Sequence, residues 1–502
     1  MPPSGRHFAF GRRLNENRFL TPVWQDCRRI MPAFEKYCVL RMAVMETAGK
    51  VLPSGLSGRP AALMLGARSP GSGEKAADRR MALAAFVIRV LGAGLAFVSQ
   101  IVLARTMGEF EYGIFVFVWV LAVLLGNLSC LGFPTAIIRF LPQYRAAGAL
   151  AEARGLLVTA RIVVLVSAAA VAAIGLGALR LFGDRIGDFY HVPLALALLT
   201  LPMIALGDVF DGTARANHWP IMALSPTFLI RPTLIIAFLL IAVLSGATAS
   251  AATAAAAGLA AAFVTVLLQS LAVTRRLGRH YPAGPKTIEL GIWTKVALPI
   301  FVIEGIGYLL TNADVAAAGI FLDPAQVAIY FAAAKTMALV HFVQFSVKAA
   351  AGPRFSAIIA EGDKRRLAAF TAETARFGFW PALAVGLAVL AAGNLLLSLF
   401  GPAFTAGRPL MAILFAGILA KALVGPGDLL LIMAGKQALC GWLYGAVLVA
   451  SILLNVALVP TLGIQGAALA VAIAMTIEAL LLYLAIRRTL GIVSFAFARV
   501  AS

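Results

Sequence analysis

Charge is scarce in this chain. Asp, Glu, Lys and Arg make up 13% of its 502 residues and apolar types 61%, where soluble domains carry roughly 25% charged residues. That excludes an ordinary soluble globule. Histidine is scarce too: His7, His191, His218, His280 and His341 are scattered, mostly at the ends of apolar runs, and no H-x-x-x-H spacing occurs. The four cysteines divide between a polar N-terminal stretch (Cys27, Cys38) and apolar runs (Cys130, Cys440), which excludes a disulfide framework and a thiolate metal site. There is no P-loop and no Ser/His/Asp constellation on one face, and no polar segment is long enough to fold as an ATPase. Work done by this protein must draw on an ion gradient, a substrate gradient or a partner. Short alternating segments of the kind that build a membrane barrel are missing as well.

What is present is a series of apolar runs of about twenty residues. Twelve spans are predicted, at 82–104, 112–133, 156–179, 191–210, 220–243, 250–273, 296–320, 325–346, 377–399, 409–433, 437–459 and 464–486. The 46 glycines and Ala-rich stretches suit close helix contact in lipid. Residues 1–80 differ: they hold fourteen Lys/Arg and six Asp/Glu, with no run of spanning length, and read as a basic, disordered cytoplasmic tail. No signal-peptide h-region follows the early arginines, and Met64 and Met81 offer later translation starts.

The net charge of +20 follows topology. With the tail in the cytoplasm, eighteen Lys/Arg fall in cytoplasmic loops and the C-terminus, and four (Arg105, Arg180, Arg185, Arg408) fall on the opposite side. Nucleic-acid binding is not needed to explain the basicity. The longest internal connection, 274–295, divides the spans six and six, so the halves are parallel repeats. The expected organisation is a tail (1–80), a first six-helix bundle (81–273), a cytoplasmic connection (274–295), a second bundle (296–486) and a cytoplasmic C-terminal tail (487–502). Ala104–Phe115 and Ala318–Phe331 are matching short acidic turns, one in each half.

The run Val98–Tyr144, with Ala104-Arg105, Gly108, Tyr112-Gly113, Gly132 and Arg139, resembles the first hairpin of bacterial oligosaccharide flippases. These form the polysaccharide transport branch of the multidrug/oligosaccharidyl-lipid/polysaccharide exporter superfamily. Phe301–Val340, with Asp314, Tyr330 and Lys335, is similar to the family's seventh and eighth spans. Asn455–Pro460 with Gly463–Gly466 is similar to its penultimate hairpin, and the likeness covers about residues 81–490. The resemblance implies an all-α polytopic membrane protein of about twelve transmembrane helices, in two six-helix bundles around a central cavity. It also implies a substrate of sugars on undecaprenyl pyrophosphate, carried across a bacterial inner membrane. A polysaccharide polymerase and export machinery would be partners, beside membrane lipids.

Ionisable groups in apolar runs narrow the search, because each costs about 2.5–3.5 kcal/mol at a helix centre on insertion scales. Six cations fall within or at the edge of spans: Arg89, Arg161, Arg231, Lys335, Arg376 and Lys421. Arg161 and Arg376 lie near span ends and are expected to snorkel. Arg89, Arg231, Lys335 and Lys421 lie deeper and are the candidates for holding a pyrophosphate. Each could instead pair with a carboxylate on a neighbouring helix. Asp314 and Lys335 differ in depth by about 6 Å and form one such candidate pair. Glu304 and Glu478 have no partner near in sequence and, with Asp314, are candidates for coupling to H+ or Na+. No other cofactor is expected. Pro202, Pro226, Pro232, Pro299 and Pro381 mark bending points, and a kink at Pro232 would aim Arg231 inward.

The leading expectation is a flippase working by alternating access. An ion-coupled exporter of small molecules comes second, since such sites favour acidic and aromatic linings and the mid-span charges here lean basic. A membrane polysaccharide polymerase comes third, because none of the outer loops is long.

Overall fold

The computed structural model describes residues 72–498, with side chains from residue 85. The expected tail over 1–80 lies almost wholly outside the described residues, as do the last residues of the C-terminal tail. From Arg79 onward the chain forms one compact unit. It is helical throughout, with no strand among the described residues. The helices are α1 (Ser72–Leu128), α2 (Phe133–Ala147), α3 (Leu150–Phe182), α4 (Asp188–Ala216), α5 (Pro220–Leu244) and α6 (Ala251–His280). They continue as α7 (Leu290–Phe321), α8 (Pro324–Glu361), α9 (Lys364–Ala391), α10 (Pro402–Met433), α11 (Gln437–Leu462) and α12 (Ile464–Leu490). This is a multi-pass membrane fold with eleven candidate spans, of which the first, Ala85–Ala147, has 63 residues and room for two crossings.

A single residue divides those two crossings. Gly108 has φ 78° and ψ 172°, a conformation closed to most side chains. The break brings Tyr112 Oη to 2.8 Å from Gln100 Oε1, whereas a straight helix would hold residues twelve apart at about 18 Å. Glu111 on the second arm accepts from the Ala251 N–H at 2.6 Å, so the acidic turn caps the N-terminus of α6. The corresponding break in the second half comes at Leu322-Asp323, where Pro324 occupies the first turn of α8.

Several helices outrun the apolar windows. The predicted loop after residue 133 is α2, bounded by positive-φ glycines at 132 and 148. α8 continues to Glu361 and α9 begins at Lys364, joined by Gly362 in the left-handed conformation and by Asp363, whose side chain accepts from the Arg366 N–H. Hydropathy marks only the part of a helix that lipid surrounds; these extensions carry Lys348, Arg354 and Lys364-Arg365-Arg366.

The non-helical connection shrinks to residues 281–289, and it is fastened to the first bundle. Arg154 donates to the Pro282 and Pro285 carbonyls, and the Thr287 N–H donates to Ala151. Fully buried Trp293 donates its indole N–H to Tyr144 Oη, which in turn donates to Glu289. We call this the linker end of the molecule, and the opposite one the Gly108 end.

The bundles touch at the Gly108 end. A Cβ on Gly113 would sit 1.7 Å from the Pro324 carbonyl oxygen, and one on Gly319 would sit 1.9 Å from the Phe117 ring. Arg105 bridges to the second bundle, donating from Nε to Leu399 O at 2.7 Å and from Nη2 to Ser398 O at 2.6 Å. At the linker end the halves meet through α7: a Cβ on Gly132, itself at φ 75°, would lie 2.2 Å from Ala297 O.

The chain beyond α12 turns back on the second bundle. Ser494 Oγ donates to Val424 O, Ala496 N donates to Leu423 O, and Arg376 donates to the Ala496 and Ala498 carbonyls. Phe497 packs edge-on against Phe379 and Trp380. Arg376 therefore holds this return segment.

Candidate functional site: adjoining cavities at Lys335

Two cavities adjoin in the second half. The smaller, about 350 Å³, lies between the halves. Its walls include Phe97, Gln100 and Trp119 from the first bundle and Lys335, Phe331 and Phe342 from the second. The larger, about 640 Å³, is enclosed by α7, α8, α10, α11 and α12 of the second bundle alone. Asp314, Lys335, His341, Lys421, Tyr444 and Glu478 supply its ionisable lining. Asn312, Phe331, Lys335 and Ala338 line both, so they form the wall between them.

The wall exists because α8 places Phe331, Lys335 and Ala338 on one face at the spacing of successive helical turns. Lys335 is solvent-accessible although it sits deep among helices, because it opens onto cavity space. Its ammonium lies 4.8 Å from the centre of the Phe331 ring. The expected Asp314–Lys335 pair does not form. Asp314 accepts instead from Tyr330 Oη at 2.6 Å, and its second oxygen is buried without a hydrogen-bond partner. Tyr330 is fully buried one turn before Lys335 on a different face of α8, and it reaches the carboxylate first.

Lys421 and Glu478, which sequence placed in different roles, form one ion pair across α10 and α12, Nζ to Oε1 2.7 Å. Nearer the linker end, Lys348 Nζ lies 2.6 Å from Asp428, which also accepts from Tyr444 Oη at 3.1 Å. Sequence reading passed over this second cluster. Its signal was the Gly425-Pro426-Gly427 break, which ends one helical segment and starts the next with Asp428 in its first turn.

The remaining candidates lie elsewhere. Arg231 is buried within the first bundle, following a π-helical turn at Pro226–Ile230. Its Nη2 packs against Gly207, the residue before Asp208, and its Nε has no hydrogen-bond partner. It does not line either cavity. Arg89 is half-buried on α1 with its guanidinium 5.3 Å from the centre of the Phe345 ring on α8, so it bridges the halves. Glu304 accepts from Thr135 Oγ1 at 2.6 Å, a contact between α7 and α2. Arg161 stacks over Phe210 at 4.8 Å. Lys335 and Arg89 have no carboxylate ion pair among the described residues, whereas Lys421 has one.

A family profile described as polysaccharide biosynthesis protein matches residues 80–359. No curated protein matches the sequence. Among solved structures, an inward-facing multidrug resistance MATE family transporter of the MOP superfamily has a TM-score of 0.65 at 16% identity, covering 81% of this chain and 98% of its own. The lipid II flippase MurJ, in an inward closed conformation, has a TM-score of 0.62 at 12% identity, covering 81% and 87%. A MOP superfamily transporter from Pyrococcus furiosus, whose binding pocket is described as reversed in polarity, has a TM-score of 0.57 at 16% identity, covering 81% and 94%. At these identities the likeness is one of fold.

Proposed function

This chain belongs to the polysaccharide biosynthesis protein family, and on that premise we propose that it is a flippase for undecaprenyl-pyrophosphate-linked oligosaccharide. It acts as a transporter, not an enzyme, in a bacterial inner membrane. The linker end and both termini face the cytoplasm, consistent with eighteen basic residues against four in the loops.

One observation carries the reading: Lys335 offers an ammonium without an ion-pair partner to the space between two bundles. A pyrophosphate cannot cross hydrocarbon bare, and a cation at membrane depth lowers that barrier. Arg89, one helical turn from Ala93 in the wall of that gap and stacked on Phe345 of the other half, is the second group we assign to it. Lys421 contributes less, since Glu478 already neutralises it. The lipid tail stays in the bilayer while the headgroup crosses, and the halves rock about their contacts. The coupling ion, H+ or Na+, would act at a carboxylate. Asp314, Glu304 and Glu478 remain the candidates, and Asp314 keeps one oxygen free.

The test is reconstitution with fluorescent lipid-linked oligosaccharide. Wild-type protein should move it between leaflets, and the Lys335→Ala/Arg89→Ala double variant should not. Full transport by that variant would remove the assignment. An ion-coupled exporter of small cations is the second reading, favoured by the unfilled acceptor on Asp314; drug extrusion from cells, lost on Asp314→Asn, would establish it instead.

A further inference from the structure

We propose that the 640 Å³ cavity inside the second bundle is a sugar subsite, which takes one or two saccharide units next to a pyrophosphate held at Lys335. The inference rests on the flippase reading and specifies which part of that substrate goes where. Glu478 is more than nine-tenths buried, lines this cavity and holds the Lys421 ammonium 2.7 Å from its Oε1. Asp314, on the opposite helix of the lining, presents an oxygen with no hydrogen-bond donor. A buried acceptor without a donor is costly and calls for a ligand that supplies one. The same lining offers donors in Lys335 and Lys421, so two carboxylates and two ammonium groups balance. A net-neutral lining rich in both donors and acceptors suits a neutral ligand with many hydroxyl groups.

A metal ion fits less well. Among the described residues no three His, Cys, Asp or Glu side chains come together. One of the two carboxylates already accepts from Tyr330 and the other is held by Lys421. The volume is also that of a small-molecule site, roughly 300–1,000 Å³, and not of a coordination shell. Met337, Leu414, Ile418 and Met475 give the cavity apolar surface on which the C–H face of a sugar ring can rest. Lys335 and Asn312, in the wall shared with the gap between the halves, place such a ring beside the pyrophosphate.

Purified full-length protein is titrated with polyprenyl diphosphate, and with the same lipid carrying one or three N-acetylhexosamine units. The sugar-bearing lipids should bind about tenfold more tightly than the bare diphosphate, the factor given by 1.4 kcal/mol. Met475→Trp, which fills the cavity, should erase that increment and leave the affinity for bare diphosphate within about twofold. Glu478→Gln keeps the side-chain shape if the larger substitution misfolds, and should reduce the increment severalfold. Equal binding of bare and glycosylated lipids by wild-type protein, or an intact increment in both variants, overturns the subsite and leaves the flippase reading standing. Saturable sodium binding lost on Glu478→Gln, with no sugar increment, overturns it in favour of a cation site. Failure of the bare diphosphate to bind more tightly than polyprenol would remove the flippase reading and this inference together.

Discussion

Tyr330 donates its hydroxyl to Asp314 at 2.6 Å, and this bond decides which charges in the second bundle are free. Asp314 is satisfied on one side by a neutral donor, so Lys335 is left facing the space between the halves. The first bundle repeats the device without charge, since Tyr112, equally buried, donates to Gln100. Each half thus ties its first two crossings together through a buried tyrosine near the turn.

Tyr330→Phe should destabilise the protein by about 2 kcal/mol, the size of a hydrogen bond to a charged group. It removes the side-chain donor from one oxygen of Asp314. The check is the thermal unfolding midpoint of the variant in detergent. An additional Asp314→Asn should restore part of the loss, because an amide tolerates an empty site better than a carboxylate does.

Arg105→Ala should loosen the Gly108 end. It removes two charge-assisted bonds to the Ser398 and Leu399 carbonyls. Spin labels placed on α1 and α10 near that end should report a broader and longer distance distribution than in the parent. An unchanged distribution would mean that the glycine contacts alone hold the end shut.

Gly113→Val should block approach of the bundles at the same end, since even a Cβ there meets the Pro324 carbonyl at 1.7 Å. The expected outcome is normal insertion, with transport of lipid-linked oligosaccharide reduced at least tenfold. Gly94→Ala is the control, because a Cβ at Gly94 meets nothing within 4 Å.

Arg376→Ala should free the return segment after α12. The guanidinium makes two 2.8 Å bonds to its carbonyls. Limited proteolysis should then cut near Phe495–Phe497 faster than in the parent. Equal rates would show that the aromatic contacts of Phe497 suffice.

The crossings were legible because hydropathy reports position along the membrane normal. Position around a helix axis was not. Depth alone made Asp314 and Lys335 look like partners, and only packing shows that Tyr330 intervenes. The same lack hid the Lys421–Glu478 pair, whose members lie on helices separated by a whole crossing. Arg231 was expected to point inward from a proline kink; a π-helical turn places it in the interior of the first bundle, beside Gly207. The returning C-terminal segment left no periodic trace, since its bonds run mainly through backbone carbonyls.

Gly108 is the sole non-helical residue between two arms of α1. A junction that short has no slack. One arm cannot slide along the other without breaking the Gln100–Tyr112 bond, so the pair must travel as a stiff lever. Arg105 and Gly113, two of the residues that touch the other half, sit within a few positions of that elbow. A single probe anywhere along this lever would register any movement of the pair.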